Sequence, residues 1–122
     1  MTEIGRLKTR AEFLHVKGGT RYAAPSLVLE ARARANDKDV DPGLARFGFT
    51  ATKTLGGAVV RNRARRRLKE AVRVTAPAHA KGGYDYVLIA RAGTVQRRFA
   101  ELIKDLERAL ATVHAPAPAK KR

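Results

Sequence analysis

The stretch Arg46–Arg73, RFGFTATKTLGGAVVRNRARRRLKEAVR, changes period halfway along its length. In its first part Phe47, Phe49 and Ala51 alternate with Arg46, Gly48, Thr50 and Thr52. A period of two is that of a strand, here with an aromatic side and a small, polar side. Past Gly56-Gly57 the period lengthens. Taking Arg61 as zero and ~100° per residue, Val60, Ala64, Leu68, Ala71 and Val72 fall between roughly 260° and 20°, a narrow helical stripe that can pack on a sheet. Strand, glycine pair and amphipathic helix in succession predict an α/β layer.

The rest of that helix is cationic. Residues 56–73 hold six arginines and one lysine against a single acid, Glu70. A solvated helix face ordinarily mixes signs and gains from ion pairs three or four residues apart. Here only Glu70 can pair locally, with Arg66, Arg67 or Arg73, so most of the face repels itself. Arg61 falls inside the apolar sector, where its charge is costly unless it turns outward at the helix start toward an anion. The glycine pair leaves the backbone free to approach a phosphate where the helix N–H groups point outward. The face calls for phosphate.

The whole chain repeats the imbalance: 122 residues, 26 Lys and Arg against 11 Asp and Glu, and a formal net charge of +15. Such charge attracts polyanions, nucleic acid first and an anionic membrane surface second. The apolar stripe of the basic helix is too thin for stable insertion into a membrane surface. No run of 18 apolar residues is present to span a bilayer, and MTEIGRLKTRAEF lacks an apolar signal core. The absence of cysteine excludes disulfides and Cys-based zinc sites and fits a cytoplasmic protein.

The remaining elements follow from pattern. Thr9 as N-cap with Glu12 three residues on predicts a short helix over about 9–17, ended by Gly18-Gly19. PSLVLEARAR alternates, with Leu27, Leu29, Ala31 and Ala33 opposite Val28, Glu30, Arg32 and Arg34, and reads as a strand. An additional short strand fits near 20–24. NDKDVDPG reads as a loop. The arginine helix is expected to run to about Val74 and stop at APAHAKGG. YDYVLIAR is apolar enough for a central strand. Thr94 is placed as the cap of a last helix through Val113, with Phe99, Leu102, Ile103, Leu106, Ala109 and Leu110 as its stripe. Residues 114–122, HAPAPAKKR, read as a basic, Pro/Ala-rich disordered tail after a single domain over 1–113. The expected architecture is a two-layer α+β domain, a four-stranded mixed sheet packed with helices in the order α-β-β-(β)-α-β-α.

A DNA-reading helix-turn-helix would need a helix before the arginine helix, where residues 45–53 read as strand. Structured RNA, recognised by shape and backbone, fits better. Chemistry borne by the protein is not expected. His15, His79 and His114 are scattered without a carboxylate at a recognisable spacing. DKDVDPG superficially resembles a calcium loop, but Gly43 comes one place late and Gly48 holds the bidentate Glu position. Tyr84 and Tyr86 fit core packing better than base stacking.

The combined pattern of Arg-x-Gly, a strand-ending Thr-x-x-Lys, Gly-x-Ala-Val-x-Arg-Asn-Arg and a Tyr-hydrophobic-Ala-Arg strand resembles the protein subunit of bacterial ribonuclease P. The likeness extends from about Leu7 to Val113 and is thinnest between 18 and 44. The resemblance implies a ribosomal-protein-S5-domain-2-like fold with a left-handed β-α-β crossover. It also implies a ribonucleoprotein endoribonuclease that removes the 5′ leader of precursor tRNA, its catalytic Mg2+ held by the RNA subunit. The protein would bind no cofactor and no metal and supply no catalytic residue. Its expected partners are the catalytic RNA and precursor tRNA, with no membrane and no protein partner. Carried over residue by residue, the RNA-subunit contacts fall on Lys53, Arg61, Asn62, Arg63, Arg65, Arg66 and Lys69. The leader would lie in a cleft between the N-terminal helix and the sheet, where Phe13 matches a family aromatic. Lys17 and Glu30 stand where further aromatics are expected, so the leader grip is expected to rely on charge from Lys17, Arg32, Arg46 and Arg91. The competing class is a ribosomal protein or general RNA chaperone without processing activity.

Overall fold

The computed structural model of the chain describes residues 1–35 and 40–115. The elements run β1 (Ile4–Arg6), α1 (Arg10–Val16), β2 (Thr20–Ala23), β3 (Leu27–Ala33) and β4 (Ala45–Thr50). After a 3-10 turn at Lys53–Leu55 come α2 (Ala58–His79), β5 (Tyr84–Ala90), α3 (Ala92–Gln96) and α4 (Phe99–His114). The strands form one five-stranded sheet in the order β1-β4-β5-β3-β2. β4 lies parallel to β1 and to β5, and β3 is antiparallel to β5 and β2. β4 and β5 are thus parallel neighbours joined through α2.

Strand alternation sorts the side chains onto two faces. Leu27, Leu29 and Ala31 of β3, Phe47 of β4, and Tyr86 and Leu88 of β5 face α2 and α4. There they meet Ala64, Leu68, Ala71 and Val72 of α2, and Leu102, Leu106, Ala109 and Leu110 of α4. Phe47 stacks on Tyr86 with ring centroids 4.6 Å apart. The opposite face carries a smaller core of Leu7, Val16 and Val87, with Phe13 and Ile89 packed against it. α1 therefore forms a partial third layer, where the sequence pattern suggested two.

Four expectations need correction. The sheet has five strands, because β1 is a three-residue edge strand, too short to show a period. The arginine helix continues past Val74 to His79 with Pro77 inside its last turns. Burial of Thr75 and Ala76 holds that extension. Thr2 also clamps its end, its backbone N–H donating to Pro77 O (2.8 Å) and its hydroxyl to Ala80 O (2.8 Å). Thr94 does not cap the long last helix. Its hydroxyl accepts from the Arg91 N–H within α3 and donates to Ser26 O, and Arg98 stands at the start of α4. Finally, His114, expected in the tail, is the last residue of α4, its ring edge-on to Tyr84 at 4.5 Å between centroids. The first half of the NDKDVDPG loop (36–39) and the tail from 116 on lie outside the described residues.

Candidate nucleic-acid interface

Gly56 has φ +150°, a conformation L side chains rarely adopt, and turns the chain from the 3-10 segment into α2. Gly57 is the N-cap and offers no side chain, so the first-turn N–H groups remain open donors at the positive end of a 22-residue helix. Beyond them Lys53, Asn62, Arg63, Arg66 and Lys69 are exposed. Arg65 is half-buried and donates to Asn62 Oδ1 at 2.7 Å, which presents the asparagine amide outward. Arg61 is half-buried as its angular position predicts, and its Nε is buried without a partner. Arg73 pairs with Glu70 (2.6 and 3.0 Å), which holds the exposed Glu70 carboxyl below its ordinary pKa. Lys53, Arg61, Asn62, Arg63, Arg65, Arg66 and Lys69 thus occupy one turn-and-helix segment, with Glu70 its only acid. Val60, placed in the packing stripe by its angle, is exposed, and Val59 is 82% exposed; the buried stripe begins one turn later at Ala64.

Arg67 belongs to a different group. Its Nε donates to Thr94 O (2.7 Å) and its Nη2 to Arg97 O (2.6 Å), clasping α3, while its guanidinium sits 5.8 Å from the centre of the Phe99 ring. Its place on the far flank of the helix turns this cation inward to the fold.

On the α1 side of the sheet lies a groove of about 500 Å³. Phe13, Leu14 and Lys17 of α1 form one wall, Val87, Ile89 and Thr50 the sheet side, and Lys8, Arg10 and Thr52 its rim. The approach is close because of Gly48: a Cβ there would lie 2.5 Å from the Phe13 ring. Glu30 also lines the groove, 5% exposed, its carboxylate held by Arg21 at 3.1 Å. The groove therefore brings together Phe13, Lys17 and Glu30. Thr50 and Thr52 were legible as the polar side of their strand; Lys8 and Arg10 carried no sequence signal.

Arg32, Arg46 and Arg91 do not line this groove. Arg32 donates to His15 O (2.9 Å) and ties down the end of α1. Arg91 donates to Ala24 O at 2.8 Å. Arg46 is held between carboxylates, bonding both Asp85 oxygens (2.9 and 2.8 Å) and Glu12 Oε2 (2.9 Å). Those partners raise the Arg46 pKa, the hydrogen bonds to Asp85 most of all. Arg34, just past the end of β3, reaches Asp85 at 2.9 Å. Glu12 completes the capping box, accepting from the Lys8 and Thr9 N–H groups, and these two bonds first, then Arg46, lower its pKa. The chain Glu12–Arg46–Asp85–Arg34 anchors α1 to the sheet.

The histidines stand apart from one another: His15 lies in the last turn of α1, His79 approaches Glu107 (3.7 Å), and His114 Nε2 meets the Tyr86 hydroxyl (2.5 Å). Among the described residues no group of three His, Cys, Asp or Glu is placed to hold a metal ion, and no helix is long and apolar enough to cross a membrane.

Fold and charge together define a class: a small, basic α+β domain with the surface of a polyanion binder. Comparison with known proteins narrows it. The family model described as Ribonuclease P matches residues 1–114. The ribonuclease P protein component of Paramagnetospirillum magneticum is 49% identical over 113 residues, covering 92% of this chain and 84% of that protein. That of Gluconacetobacter diazotrophicus is 55% identical over 106 residues, covering 86% and 87%. Among solved structures, the ribonuclease P protein of Thermotoga maritima superposes with a TM-score of 0.72 at 25% identity, covering 90% of this chain and 98% of that one. The Staphylococcus aureus protein gives 0.69 at 28%, covering 89% and 94%. The chain belongs to the ribonuclease P protein family.

Proposed function

We propose that this chain is the RNA-binding subunit of a cytoplasmic ribonuclease P that removes the 5′ leader of precursor tRNA. The observation that carries the reading is the cationic ridge of α2, rising from an uncapped helix start and left nearly without acidic partners. On this reading Arg61, Asn62, Arg63, Arg65, Arg66, Lys69 and Lys53 grip the backbone of the catalytic RNA. The groove beneath α1 takes the single-stranded leader, with Phe13 as its stacking ring and Lys17 as a phosphate partner. Thr52 in the groove rim is followed directly by Lys53, so the short segment after β4 links the two surfaces. Mg2+ held by the RNA subunit supplies the activation of water and the stabilisation of the leaving oxygen in phosphodiester hydrolysis. The protein's own residues neutralise nearby phosphates, orient the leader and fix the substrate relative to the RNA.

The test is cleavage of a precursor tRNA by the matched ribonuclease P RNA at low Mg2+, with and without this protein. Stimulation is expected, and it is expected to disappear when Arg63 and Arg66 are both reversed to Glu. An RNA chaperone would leave cleavage by correctly folded RNA unchanged, and that result would overturn the reading.

A further inference from the structure

A second groove, of about 420 Å³, runs along the other side of α2, between that helix and the edge strand β1. Its apolar surface comes from Ile4, Phe49 and Val72; Ile4 and Phe49 keep part of their surface exposed. Arg6, Lys69 and Arg73 line it, all three exposed, and no acidic residue does. Arg73 is partly neutralised by Glu70, which leaves Arg6 and Lys69 as the stronger cations. The volume lies in the range of sites for small ligands.

Three observations point to one occupant. An apolar slot with a partly open aromatic ring suits a flat, weakly polar body, while a cationic rim suits an anion attached to it; a nucleotide unites the two. The groove is also continuous with the arginine ridge, since Lys69 and Arg73 line both it and the neighbouring hollow that contains Arg63 and Arg66. A backbone lying along α2 thus passes the mouth of the slot. Third, β1 ends the sheet. Glu3 O and the Leu7 N–H bond toward β4. By the alternation of a parallel ladder, the main-chain groups of Ile4 and Arg6 face away from β4, where no strand pairs with them among the described residues. Donors and acceptors for a base edge are therefore available at the mouth.

We infer that this slot receives one unstacked base of the RNA docked on α2, its ring against Phe49, Ile4 and Val72 and its flanking phosphates on Lys69 and Arg6. The inference rests on the reading of α2 as an RNA-binding ridge. RNA recognition commonly works through bases splayed from loops and bulges onto aromatic side chains, and the stretch from β1 to Pro77 offers such a platform.

The experiment is an NMR titration of the full-length protein at low salt with adenosine 5′-monophosphate and, separately, ribose 5-phosphate. Both are expected to move the Arg63 and Arg66 signals. Only the nucleotide is expected to shift the Ile4 and Val72 methyls and the Phe49 ring, at roughly tenfold lower concentration, the discrimination that one stacked base provides. The variant Phe49→Leu should lose this preference while its Arg63 and Arg66 signals still respond. Equal response of Ile4 and Phe49 to the two compounds would overturn the base slot and leave the ridge standing. So would shifts that follow protein concentration instead of nucleotide, which would assign the β1 edge to a second copy of the chain. If neither compound moves Arg63 or Arg66, the RNA reading of α2 falls, and the slot with it.

Discussion

Gly48 shows how one missing side chain shapes a surface. Its absent Cβ lets the Phe13 ring, which lines the groove beneath α1, lie close on β4. Gly48→Ala is expected to push Phe13 outward and weaken binding of leader-bearing precursor tRNA, while mature tRNA binds as before. Phe13→Ala should act in the same direction, by roughly tenfold if one base stacks on the ring. Equal losses on the two RNAs, measured as dissociation constants, would detach the groove from the leader. Phe13 itself was legible from helical spacing and the family pattern. The role of Arg46 was not, because alternation tells which face a residue takes and not whether Glu12 and Asp85 will be waiting there.

Within α2, neighbouring cations separate into two functions. Arg67 bonds the carbonyls of Thr94 and Arg97, so Arg67→Ala should lower stability by about 1–3 kcal/mol with little change in the salt dependence of RNA binding. Arg63→Ala and Arg66→Ala should do the reverse. Each is expected to change stability by less than about 0.5 kcal/mol and to reduce the salt slope by about one. Thermal melts and binding at several salt concentrations distinguish the two sets. At the end of α4, burial first and the charge of Lys81 second lower the His114 pKa, while burial pushes Tyr86 up to about 12, so the hydroxyl stays protonated. Above about pH 6.5 His114 is neutral in both folded and unfolded chains. As pH falls the unfolded chain takes up the proton first, so stability declines until the lowered folded pKa is passed. Melting temperature is expected to fall from pH 7.5 toward about pH 5, more gently in His114→Phe, which keeps the aromatic contact with Tyr84. Identical slopes in the two proteins would remove this contribution. α4 was legible as a stripe to within one residue: only His114, its last residue, reads as tail, because the Pro/Ala pattern begins directly after it.

For the molecule as a whole, +15 charges on 122 residues oppose compaction and favour polyanions. Binding to structured RNA is expected to weaken steeply with salt, by roughly 10³-fold between about 50 and 200 mM if six phosphates are contacted on duplex-like slopes. Sulfate should raise the melting temperature of the free protein, since a preformed cationic ridge binds anions in the native state alone. A flat salt response, or no effect of sulfate beyond that of ionic strength, would count against the ridge. The pattern of residues was sufficient for the helix of arginines, four of the strands, the capping box at Thr9 and the polarity of each face, because these depend on periods and spacings within a few residues. Tertiary packing settled the edge strand β1, the run of α2 through Pro77, the inward turn of Arg67 and the carboxylate cage around Arg46. Each of those depends on groups far apart in the chain, such as Thr2 on Ala80 or Arg46 on Asp85, whose meeting no local period encodes.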